Sequence, residues 1–159
     1  MDYAPPEFAN VPFGSITAQA CSPRVADPRF KGVVIRLPDR IGIAAGETLV
    51  LPICGYYQLD TAPLLMGADI HIHARGVGGT PLAPVVAKVV TNTGANEPDA
   101  KPPKFHIDPR DYAGQVSESY FFFDAQSYLP MKLPPGTYDI AVSYGGAQSN
   151  VARVEVAAR

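Results

Sequence analysis

Near the carboxyl end, Tyr138, Ile140, Val142 and Tyr144 alternate with Thr137, Asp139, Ala141 and Ser143. After a turn over residues 145–149, Ala152, Val154 and Val156 alternate with Arg153 and Glu155. A period of two sends successive side chains to opposite faces of a pleated strand, so this stretch reads as an antiparallel hairpin with one buried and one wet face. Little else is open to a chain with this rhythm. Its 17 Pro and 14 Gly punctuate it too often for a helical bundle, and no stretch shows caps and a 3.6 period long enough to compete. At 159 residues it fits one domain with a substantial core, burying roughly 70% of its unfolded surface.

Upstream, the same rhythm recurs. Val33, Ile35 and Leu37 share a face, as do Leu49, Leu51 and Ile53 in a stretch where Pro52 falls on the opposite face. Proline cannot donate to a ladder, so that strand is expected at an edge or with a bulge. Residues 69–75 form a strand with Ile70, Ile72 and Ala74 inward and Asp69, His71, His73 and Arg75 outward. Residues 76–81 turn the chain into a strand over 85–90, and residues 116–124 form another whose Tyr120, Phe121, Phe122 and Phe123 cover both sheet faces. Residues 124–126 read as a turn into a short strand ending near Leu133. Residues 91–115 show no periodicity and make a long loop; residues 1–28, with five prolines, form an extended arm that lies on the domain or reaches a neighbour.

Short strands at about 8–12-residue spacing predict an all-β antiparallel sandwich of about 7–9 strands over residues 29–159. Tyr138, just after a Gly turn, resembles the tyrosine corner of Greek-key sandwiches. That resemblance implies an Ig-like Greek key, with a jelly roll as the alternative. An antibody-type domain is excluded: there is no Trp, and Cys54 faces no Cys on the Tyr138 strand.

The amino terminus places Asp2, Glu7 and three prolines where a secretory leader would carry basic and apolar runs, which predicts a cytoplasmic chain or one exported without a cleavable signal peptide. Cys21 and Cys54 are then expected as reduced thiols, although spacing alone leaves a bridge open. No apolar run reaches the ~18 residues of a membrane span. With 13 basic against 15 acidic residues and no basic cluster, nucleic acid is not expected as a partner.

No hydrolase elbow, zinc-protease helix, phosphate loop or dinucleotide fingerprint occurs. One pattern resembles a metal site. Asp69, His71 and His73 project from one strand face about 7 Å apart, and His106 in the long loop is a further candidate ligand for a divalent metal. The simpler account makes these residues the solvent face of an amphipathic strand. Asp108 and Asp111 are formally an acid/base pair or calcium ligands, but Asp108-Pro109 reads better as a turn with Asp111 paired to Arg110 or a neighbouring strand. Tyr56, Tyr57, Tyr112, Tyr120 and Tyr128 fall at strand ends and in loops, where they suit sugar stacking or a protein interface. The expectation is a non-enzymatic binding or assembly module without a cofactor. It recognises a protein partner or a second copy through loops and arm, with Phe8, Phe13, Tyr112 and Tyr128 as contacts. The alternative is a small-ligand module for carbohydrate or metal on the Asp69–His71–His73 face.

Overall fold

A computed structural model describes residues 5–90 and 108–158 of the chain. Among the described residues nine strands form: β1 (Gly32–Arg36), β2 (Arg40–Ile43), β3 (Pro52–Asp60), β4 (Ile70–Gly76), β5 (Val85–Lys88), β6 (Val116–Asp124), β7 (Gly136–Tyr144), β8 (Ala147–Gln148) and β9 (Ala152–Ala158). A short helix, α1 (Thr61–Leu65), follows β3. Two sheets result, one with the order β1-β3-β6, the other β2-β9-β7-β4-β5 with β8 added beside β7. All pairs are antiparallel except β2 with β9. This is a β protein, as the alternation predicted. Among the described residues no helix is long and apolar enough to cross a membrane.

One buried cluster takes side chains from both sheets, among them Ile35, Ile53 and Phe121 from the first and Ile72, Ile140 and Val154 from the second. Tyr138 is fully buried within it, and its hydroxyl donates to the Pro134 carbonyl. Burial holds that phenol protonated above the usual tyrosine range. Asn150 reaches from the β8–β9 turn to the free edge of β1, accepting from Ile35 N at 2.8 Å and donating to Ile35 O at 3.2 Å. A side-chain amide thereby satisfies backbone groups that an edge strand leaves unpaired.

Pro52 departs from expectation. β3 is the central strand of its sheet, flanked by β1 and β6, and Pro52 is its first residue. At that position a missing N–H disturbs little of the ladder, so neither an edge nor a bulge is needed. The strand expected to end near Leu133 is also absent. Residues Ala125–Ser127 make a 3-10 turn instead, capped by Asp124, whose carboxylate accepts from Gln126 N, Ser127 Oγ and Leu51 N. Gln126 then holds the following segment by donating to Met131 O and accepting from Leu133 N.

The described part of the arm lies on the outer face of the β1-β3-β6 sheet. Alternation along β3 and β6 sends Ile53, Phe121 and Phe123 into the main core, and Cys54 and Phe122 to the opposite face. There Phe8 and Cys21 close over them as a second buried cluster. Cys21 and Cys54 are disulfide-bonded, which corrects the expectation of reduced thiols. The reason is geometric: Cys54 is buried from the far side of the sheet, by a segment 33 residues away in sequence. Gly14 N donates to Phe122 O, and Arg36 lies over the Phe8 ring while contacting Glu7 and the Cys21 carbonyl.

Candidate interaction surface

On the outer face of β4 the expected metal ligands are not gathered. The Asp69 carboxylate pairs with Lys88 at 3.4 Å, across the β4–β5 ladder. His73 Nε2 lies 2.9 Å from Ser143 Oγ on β7, so that nitrogen is already engaged. No group of three His, Cys, Asp or Glu positioned to hold a metal occurs among the described residues. His106 lies outside them. The face is a solvated strand surface with cross-strand pairs, as amphipathic strands commonly have.

Asp108 and Asp111 do not form an acid/base pair either. Asp108 caps the 3-10 turn Pro109–Tyr112 and accepts from the backbone and guanidinium of Arg110, which holds its carboxyl below the usual range. Of the two pairings expected for Asp111, the one with Arg110 gives way to Asp108, which the cap geometry selects.

Apolar surface gathers elsewhere, around the arm. Phe13 is 49% exposed and stands between two grooves. The first, of about 460 Å3, runs between the arm and the β2–β3 region, past Ile43, Val50 and Pro52. The second, of about 550 Å3, runs past Ile16, Ile70, Val90 and Tyr128 along the ends of β5 and β6. Ile16 at 72%, Val90 at 59% and Val50 at 48% are among the most exposed large apolar side chains described. Backbone bonding from Gly14 to Phe122 and the disulfide at Cys21 hold the arm beneath Phe13, so the side chain is presented from a fixed support.

The four expected contact residues part company here. Phe13 and Tyr128 line the same groove, Tyr128 fixed edge-on against Phe123 and donating to the Val90 carbonyl. Phe8 borders the first groove but is only 5% exposed, enclosed with Cys21, Cys54 and Phe122, so it serves the chain's own core. Tyr112 lies by the Asp60–Val116 end of the β3–β6 ladder, whereas the grooves adjoin its Pro52–Asp124 end. Ile16, Val50 and Val90 were missed by sequence reading. The only signal they carry is an apolar side chain beside a proline-rich segment or at a strand end, which marks core residues equally well.

No protein-family model matches the chain, and no curated protein matches it. Among solved structures, the Pseudomonas fluorescens alkylpurine DNA glycosylase AlkC bound to DNA containing an abasic site analog matches with a TM-score of 0.37 and 17% identity. The match covers 80% of this chain and 31% of that one, so the chain spans under a third of its length. A likeness this low carries no argument for DNA binding. The exclusion of nucleic acid is nonetheless corrected beside this match, since a chain-wide charge balance says nothing about a local surface.

Proposed function

We propose that this chain is a non-enzymatic binding module, an Ig-like Greek-key sandwich that recognises a protein partner through its arm and adjoining loops. Support for the Ig-like form comes from the strand order β1-β3-β6 against β2-β9-β7-β4-β5, from the parallel β2–β9 pair, and from the Tyr138-to-Pro134 hydrogen bond. The observation that carries the binding role is the pair of apolar grooves on either side of Phe13. Exposed aromatic and aliphatic groups contiguous with grooves are the usual anchors of protein interfaces, and a supported arm loses little entropy on binding.

Site-specific photocrosslinking in the native host tests this reading. Phe13→benzoylphenylalanine is expected to give adducts of discrete mass that Ile16→Asp and Val90→Asp abolish. The same probe at Arg110, on the 3-10 turn away from the grooves, is the control. Equal labelling from the two positions, or none from position 13, would overturn the assignment. Masses of the adducts distinguish a second copy from another protein.

A further inference from the structure

The arm covers Phe122 completely but leaves the next outward residues of the same sheet face partly open. Tyr120 on β6 stands directly opposite Tyr56 on β3, with ring centroids 5.1 Å apart and planes inclined by 49°. Phe30 extends the row 6.3 Å from Tyr56. Beside these rings the arm turns away and leaves an opening of about 310 Å3, bordered by Gln19, Ser22, Arg24, Val25, Tyr56 and Tyr120. That volume is at the lower end of ligand pockets, too small for a folded element and ample for one ring of a small molecule.

Its walls are held in place. The Tyr56 hydroxyl donates to Glu118 at 2.6 Å and approaches Gln58 at 3.1 Å. Burial first, then Glu118, pushes this phenol up to about 12, so the ring stays a neutral platform at all ordinary pH. On the arm side, Gln19 N donates to Ser22 Oγ at 2.8 Å, and the neighbouring Cys21 is tied to β3. Two polar groups at the opening have no hydrogen-bond or ion-pair partner among the described residues. Arg24 is exposed, with no ion pair among the described residues, and the Tyr120 hydroxyl has no hydrogen bond among them.

Two inclined tyrosine rings, a guanidinium, a phenol and an amide thus border one small concavity, with the Glu118 carboxylate held behind the Tyr56 hydroxyl. A wholly apolar ligand would leave the polar groups unserved, at a desolvation cost. A bare phosphate would leave the rings unused. An acidic sugar meets every part: its C–H face stacks on tyrosine, its hydroxyls meet Gln19 and Tyr120, and its exocyclic carboxylate pairs with the Arg24 guanidinium. We propose that this opening is a carbohydrate subsite for a hexuronate residue, stacked against Tyr120 and Tyr56 and held through its carboxylate by Arg24. It shares Tyr120 with the second groove by Phe13 and is otherwise bordered by different residues, and it stands whether or not the grooves bind protein.

The chain has no Trp, so its fluorescence comes from eight tyrosines, of which Tyr56 and Tyr120 border the opening. Trigalacturonate is expected to quench it saturably in the intact oxidised protein and to bind at least about tenfold more tightly than neutral maltotriose. Tyr120→Ala should weaken binding about tenfold. Arg24→Gln, at an exposed position that does not threaten folding, should remove the preference for the acidic sugar. Phe13→Asp should leave sugar binding unchanged, which keeps this test independent of the protein-partner reading. Absence of saturable binding by trigalacturonate would overturn the proposal, as would binding indifferent to Arg24→Gln. Tighter binding of a mononucleotide or a proline-rich peptide at the same residues would overturn it equally.

Discussion

At Gly55 a hydrogen atom stands where any side chain would collide. Gly55 pairs with Phe121 across the β3–β6 ladder, and a Cβ at this position would overlap the Phe121 ring. The glycine is needed for space, since the ring lies across the bare backbone while stacking against Phe123 and Tyr57. Gly55→Ala must therefore push Phe121 out of a closed core. Such overpacking costs about 1–3 kcal/mol, to be read as a lower denaturant midpoint with an unchanged slope. Gly55→Ala combined with Phe121→Leu is expected to recover part of that loss, because the smaller residue vacates the contested volume. Sequence alone shows only a glycine inside an apolar run. That the collision partner is Phe121 depends on register, which the two-residue rhythm of each strand leaves unspecified.

Across β4, β7 and β9 a charged row binds three strands on the wet face of the larger sheet. Arg75, Asp139 and Arg153 stand in register, with Arg153 Nε 2.9 Å and Arg75 Nη2 3.3 Å from the Asp139 carboxylate. The Arg153 hydrogen bond foremost, with Arg75 adding to it, holds this carboxyl below its ordinary value of 3.8, against the opposing effect of burial. A carboxyl depressed on folding contributes stability above its unfolded pKa, and that contribution is lost as pH falls through the folded value. Asp139→Asn is accordingly expected to lower stability by roughly 1 kcal/mol at pH 7. The deficit should shrink below about pH 4 and vanish in stronger acid, as thermal melts from pH 2 to 7 would show. Alternation already placed Asp139 and Arg153 on the wet side of a hairpin. Arg75 arrives from a strand 64 residues distant, so its share in the row follows from sheet order.

For the molecule as a whole, the deciding feature is the bridge between arm and sandwich. Cys21–Cys54 closes a long loop, and the chain-entropy account assigns such a closure about 3–4 kcal/mol. Replacing both with alanine (Cys21→Ala with Cys54→Ala) should lower stability by that order. It should also make the arm cleavable by protease at concentrations that spare the oxidised protein, while far-ultraviolet dichroism continues to report β-structure. An arm still protected after loss of the bridge would mean that Phe8, Gly14 and Arg36 hold it unaided. Disulfides of this kind persist in oxidising compartments, so mass analysis after alkylation should find the bridge in protein recovered from such a compartment and free thiols in protein held reduced.

The strands β1, β4, β6, β7 and β9 with their faces, and the burial of Tyr138, were legible in the residues, because alternation and turn chemistry act between near neighbours; β2 and β8 were not. The sulfur pair, the central position of β3 despite Pro52, the grooves at Phe13 and the opening at Tyr56 and Tyr120 were not. Each of these joins segments far apart in sequence, and a local pattern names the face a side chain takes without naming what comes to cover it.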